Sequence, residues 1–202
     1  MTDLSPPLPP SHDEGSPVAI VTGGARGIGR AVCVTLAAAG YTVVVVDSCS
    51  DDPALPYPLA TETDLRGTVD ACFDTRSGVA AVGLVADVRD QAALDAVAQG
   101  TLEQYGRLDA VVAAAGAIVG GPPAWATTDE QWQVMLDVNL TGVWRLVRAT
   151  APLLIERSAG RGRFVAIASA AGIGGLPQLA AYTAAKHGVV GDLPPIGGVG
   201  GA

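Results

Sequence analysis

Residues 18–29 read VAIVTGGARGIG: an apolar run that turns on glycine and passes straight into a helical stretch. Gly23 permits a tight exit from a strand, Gly27 lets backbone approach a diphosphate, and Gly29 lets the following helix lie against a sheet. The N-terminus of that helix, which starts at Ile28 just after Arg26 in the turn, offers unpaired N–H groups and a partial positive charge to phosphate. Glycine spacing alone also describes ordinary turns. The strand before it and the helix after it make this a dinucleotide-binding signal.

The rest of the chain repeats that alternation. Val18–Thr22, Tyr41–Asp47, Val79–Ala86, Leu108–Ala115 and Arg163–Ala168 are nearly continuous in Val, Ile, Leu and Ala, the pattern of parallel strands buried on both faces. Between them, Ile28–Ala39, Thr63–Thr75, Arg89–Tyr105 and Asp129–Arg157 read as helices, and another begins near Tyr182. Gly40 stops the first, and Thr127 with Glu130 suits a capping box for the long one. The succession predicts an α/β fold, a doubly wound parallel sheet between two helical layers. It occupies residues 18–191, with a Pro-rich disordered tail at 1–17 and an irregular Gly- and Pro-containing tail at 192–202. Ser48–Leu65 is longer than a connecting loop needs to be. Five strands are visible where the six-stranded form expects one more.

Composition narrows the partners. Twelve Lys and Arg against 20 Asp and Glu leave a net charge of −8. Nucleic acid and anionic membrane are therefore poor partners. No apolar run is long enough to span a bilayer and no secretory leader is evident, so a cytoplasmic protein is expected. Cys33, Cys49 and Cys72 have neither zinc nor redox spacing and read as idle thiols, and no metal site is expected.

Several polar residues stand outside the core pattern. Asp47 ends the second strand, 20 residues after Gly27, where a carboxylate accepts both adenosine ribose hydroxyls and repels a 2′-phosphate. NAD is thus favoured over NADP, although the Arg26 guanidinium in the turn could draw extra phosphate. Asp87, ending the third strand, suits either an adenine amino group or the N-cap of the next helix. Asn139 interrupts the long helix and Ser169 follows the fifth strand. Tyr182 and Lys186 are one helical turn apart, so their side chains are neighbours. His187 faces elsewhere and reads as structural, while Trp125, Trp132 and Trp144 read as helix packing, with lining of the pocket mouth the alternative.

With TGGARGIG at Thr22–Gly29, Asp47, Asp87, Asn139, Ser169, Tyr182 and Lys186 in this order, and 13 positions from Ser169 to Tyr182, the sequence resembles the short-chain dehydrogenase/reductase family from about Val18 to Gly191. The resemblance implies a Rossmann-like fold and an NAD-dependent oxidoreductase that interconverts an alcohol and a ketone or aldehyde. It places cofactor contacts at Gly23, Arg26, Gly27, Ile28, Gly29, Asp47, Asp87, Val88, Ala115, Gly116, Tyr182 and Lys186. A phenol titrates near about 10, so it needs a neighbouring cation to serve as a base. By resemblance Tyr182 is that base, Lys186 assists it and holds the nicotinamide ribose, Ser169 binds the substrate oxygen, and Asn139 holds a water for proton exchange. The segment DDPALPYPLATETDL, with AGAIVGGPPAW and GLPQLAAYTAAKHGVVG, is similar to the mycofactocin-coupled branch, which implies a retained NAD and a peptide-derived external electron acceptor. Homo-oligomers, dimers or tetramers, are usual in the family. Two departures stand out. The family's Asn-Asn-Ala-Gly is Ala113-Ala114-Ala115-Gly116, and the C-terminal strands and substrate lid are absent, as in a truncated chain. The alternative reading is therefore a catalytically silent NAD-binding remnant.

Overall fold

The structure, a computed structural model, describes residues 15–75, 78–157 and 161–192. Most of the two expected tails, 1–17 and 192–202, lies outside the described residues. The chain runs β1 (Val18–Thr22), α1 (Gly27–Ala38), β2 (Thr42–Asp47), α2 (Glu62–Phe73), β3 (Ala81–Val85), α3 (Gln91–Tyr105), β4 (Ala110–Ala113), α4 (Asp129–Leu136), α5 (Gly142–Arg157), β5 (Arg163–Ala166) and α6 (Ala180–Asp192). The five strands form one parallel sheet in the order β3-β2-β1-β4-β5. This is the doubly wound topology, with helices on both faces of the sheet.

Apolar character on both faces of the central strands gives two cores. Alternate residues of a strand point to opposite faces. Ile20, Val44 and Val111, on one face, pack with Leu94 of α3 and Leu146 of α5. Val21 and Val45, on the other, pack with Cys33 and Ala37 of α1 and with Leu65 and Cys72 of α2. β1 and residues Val43–Val46 of β2 are almost wholly withdrawn from solvent. β5 departs from the expectation of burial on both faces: Val165 is 49% exposed, because one face of this outermost strand meets the core and the other does not.

Local chemistry sets most helix ends. Thr61 and Asp64 form a reciprocal capping box on α2, and Asp90 accepts from Ala92 and Ala93 N–H at the start of α3. The box on α4 is Thr128 with Gln131, one residue beyond the expected Thr127 and Glu130. Gly40 and Gly106 take positive φ at helix ends, as αL stops do. The single long helix expected over 129–157 is broken by a π-helical turn at Asp137–Thr141, centred on Asn139.

Candidate active site

The strand order reverses between β1 and β4, and a cleft opens there above the carboxyl ends of the strands. It is lined by the glycine turn, by Asp47 and Ser48, by Ala86–Arg89, and by Ala114–Ala117. A methyl group at Gly23 would lie 2.5 Å from the backbone of Ala115, and one at Gly29 would lie 2.0 Å from the carbonyl oxygen of Gly23. These two glycines let the turn, the helix and the end of β4 close on one another. A methyl at Gly27 would meet nothing within 4 Å, because it faces the open cleft. No side chain caps α1 and no acidic residue occupies its first turn. Its leading N–H groups therefore face a cradle of the size and polarity that a diphosphate needs, and the residues present fit a dinucleotide.

Besides the backbone bond from Gly24 N–H to Val46 O, three long-range side-chain hydrogen bonds hold the turn. Asp47 Oδ2 accepts from Ala25 N–H at 3.1 Å, and Thr68 Oγ1 of α2 donates to Ala25 O at 3.0 Å. Arg26 Nη1 donates to Pro58 O at 2.9 Å. Pro58 belongs to the segment between β2 and α2, which crosses the cleft as a strap. Leu55, Leu59 and Ala60 of the strap line the cleft. Leu55 and Tyr57 also join a small apolar cluster with Ala117, Val119, Met135 and Tyr182. The Tyr57 hydroxyl oxygen accepts from Ile118 N–H at 2.9 Å.

At the other end of the cleft, Arg89 sits between two carboxylates, 2.6 Å from Asp52 and 2.7 Å from Asp87. Burial pushes the Asp87 carboxyl up, but hydrogen bonds from the Arg89 side chain and backbone outweigh it and hold Asp87 below the ordinary carboxylate range. Arg145 donates in turn to Arg89 O. Asp87 does not cap α3, a role that falls to Asp90, since its carboxylate is committed to Arg89. Val88 is buried beside the π-helical turn, where a methyl at Gly142 would strike it.

Lys186 is buried, donates from Nζ to Ile167 O at 2.7 Å, and lies 5.8 Å from the centre of the Tyr182 ring. Burial lowers its pKa. The i, i+4 spacing on α6 thus sets an ammonium beside a phenol and clamps α6 to the segment leading from β5 to Ser169. Ser169 Oγ accepts from Ala171 N–H at 3.2 Å, and no hydrogen bond joins it to Tyr182 among the described residues. Asn139 is fully buried. Its Oδ1 accepts from Ala117 N–H, and its Nδ2 donates to Ala117 O and Met135 O. The side chain braces the loop after β4, and a methyl at Gly116 would come within 3.1 Å of Asn139 Oδ1.

A family model described as short chain dehydrogenase matches residues 17–192, nearly the whole described chain. The chain belongs to the short-chain dehydrogenase family. It is 45% identical over 178 residues to an uncharacterized oxidoreductase of Mycobacterium tuberculosis. It is 39% identical over 174 residues to a (−)-trans-carveol dehydrogenase of Rhodococcus erythropolis. Both alignments cover 86% of this chain and 62% of the relative, so the chain spans about three-fifths of the length of these curated relatives. Among solved structures, carveol dehydrogenase from Mycobacterium avium in complex with NAD superposes with a TM-score of 0.81 at 39% identity, covering 88% of this chain and 64% of that one. A short-chain dehydrogenase from Mycobacterium paratuberculosis bound to NAD gives 0.79 at 40%, covering 87% and 64%.

Trp125 is 90% exposed and packs no helix, Trp132 and Trp144 are about half exposed, and none of the three lines the cleft; Trp144 lies under the Arg148 guanidinium. The Asn139 side-chain amide is spent on the backbone of Ala117 and Met135. His187 is exposed, with its ring on Thr183 O. Burial pushes the Cys49 and Cys72 thiols up to about 11 and Cys33 higher still, which disfavours the thiolate. Sequence reading missed Asp52, Leu55, Tyr57, Leu59, Ala60 and Arg89. For Leu55, Tyr57, Leu59 and Ala60 the signal was the run ALPYPLA inside an otherwise acidic insertion, apolar side chains that a free loop does not need.

Proposed function

We propose that this domain holds NAD in the cleft and interconverts an alcohol with a ketone or aldehyde. When bound, the nicotinamide supplies the hydride acceptor or donor. The glycine turn and the start of α1 would hold the diphosphate, Asp47 the adenosine ribose, and Asp87 and Val88 the adenine end. Tyr182 exchanges a proton with the substrate hydroxyl. The Lys186 ammonium stabilises negative charge developing on the phenol oxygen, and Ser169 donates to the substrate oxygen. Asn139 keeps the loop after β4 in place, so that Ala115 and Gly116 form the floor of the cleft. The observation that carries this reading is the buried Lys186 beside the Tyr182 ring, on a helix whose Tyr182 packs with Leu55 and Ala117 of the cleft lining. The NAD-bound relatives support the choice of cofactor.

The finer reading follows from the strap. A segment tied across the cleft hinders exchange of the dinucleotide, so its electrons would leave through an external carrier, mycofactocin by resemblance of the strap sequence. We place the protein in the cytoplasm, associating as a dimer or tetramer through α4 and α5, which carry the exposed Trp132 and Trp144. No described helix is long and apolar enough to cross a membrane.

The purified chain should carry NAD and oxidise small alcohols with an artificial electron acceptor. Tyr182→Phe should lower turnover by about 10²–10⁴-fold while bound NAD, assayed after denaturation, is unchanged. Bound NAD without turnover of any alcohol would instead identify the silent remnant, and a chain that never carries NAD would sink both.

A further inference from the structure

Arg26 is the one cation in the glycine turn, and charge alone would assign it to an extra phosphate. Its observed partner is different. The guanidinium donates to the carbonyl of Pro58, 32 residues away on the strap. Asp64, at the first turn of α2, also feels the Arg26 charge, while its own oxygens are held by Thr61. The arm is therefore fastened at its tip to the strap. The position next to the adenosine ribose is held by Asp47, whose two oxygens accept from Ala25 and Cys49 N–H.

Resting on the reading that this cleft holds NAD, we infer that Arg26 is a positioning residue that latches the strap, and that it does not read a 2′-phosphate. Discrimination between NAD and NADP then falls to Asp47 alone. To reach a 2′-phosphate Arg26 would have to release Pro58, which removes one of the three ties that hold the strap. One residue thus links two properties that are usually separate. The same guanidinium that would favour NADP if free slows the departure of NAD when latched.

The test compares binding of NAD and NADP, by calorimetry and by the rate at which bound NAD is displaced, in the full chain and in Arg26→Ala, Arg26→Lys, Asp47→Ser and the Asp47→Ser/Arg26→Ala double variant. Arg26 is exposed, so its replacement leaves the core intact. Loss of the latch should speed NAD release in Arg26→Ala roughly tenfold, the scale of one hydrogen bond from a charged donor, and Arg26→Lys, which still donates to a carbonyl, should restore much of it. The ratio of NADP to NAD affinity should be the same in Asp47→Ser and in the double variant. A fall in that ratio of about tenfold or more on removing Arg26, the scale of a lost arginine–phosphate contact, would overturn the proposal, as would an NAD release rate that Arg26→Ala leaves unchanged. Wild-type chain that binds neither dinucleotide is a different result, and it overturns the reading of the cleft itself.

Discussion

Gly27 and Gly29 stand two positions apart in one turn, and a methyl group means something different at each. At Gly29 it would press on the Gly23 carbonyl, which is backbone and cannot swing aside. Gly29→Ala should therefore destabilise folding at the top of the overpacking range, about 3 kcal/mol, seen as a lowered urea midpoint. At Gly27 the methyl enters open space, and the cost is its φ of +57°, about 1–2 kcal/mol for a residue with a side chain. Gly27→Ala should keep the cooperative unfolding transition and lose dinucleotide binding, because the methyl stands where the diphosphate belongs. Calorimetric titration with NAD beside urea unfolding separates the two variants. Equal loss of stability in both would show that the turn is not the phosphate cradle.

Asp109, just ahead of β4, shows how one carboxylate joins elements. It accepts from Val18 N–H at 2.8 Å, which pins the start of β1, and from Arg107 at 2.8 Å through both of its oxygens. Burial pushes its carboxyl up, but the Arg107 and Val18 hydrogen bonds prevail and hold it below the ordinary value. A carboxyl lowered by folding adds stability above its unfolded pKa, near about 3.9. That contribution disappears as pH falls through the folded value beneath it. Asp109→Asn should cost about 1–3 kcal/mol at pH 7, and the gap to wild type should close below about pH 4; a gap independent of pH would mean the charge is irrelevant. The elements themselves were legible where their causes are local. VAIVTGGARGIG specifies strand, turn and helix through neighbours a few residues apart, and the Tyr182–Lys186 pair follows from helical spacing. The cap of α4 missed by one residue because Thr127 and Thr128 are chemically equivalent, and only the chain's exit from the short helical turn at Ala124–Ala126 selects between them. The partners of Arg26, Arg89 and Asn139 lie 32, 37 and 22 residues away for Pro58, Asp52 and Ala117, and no local pattern encodes them.

At the scale of the whole molecule, the strap connects parts that the sheet alone keeps apart. It meets the glycine turn through Arg26, the end of β3 through Arg89, and the loop after β4 through Tyr57 and Ile118. Its apolar residues fill the small cluster around Met135 and Tyr182, while neither large core draws on residues 52–59. A chain in which residues 52–59 give way to a short Gly–Ser link should therefore still fold. Its largest single loss is the burial of Leu55, about 1.5–3 kcal/mol. The cofactor should behave differently. With the strap in place, leaving the cleft requires three ties to open together, whereas without it the diphosphate is held by the turn alone and exchanges freely. Wild-type chain passed through gel filtration should retain NAD in the protein fraction, and the shortened chain should elute empty yet bind NAD when it is added back. Equal retention by both would show that the glycine turn and Asp47 hold the dinucleotide unaided, and that the strap serves the substrate side near Tyr182 instead.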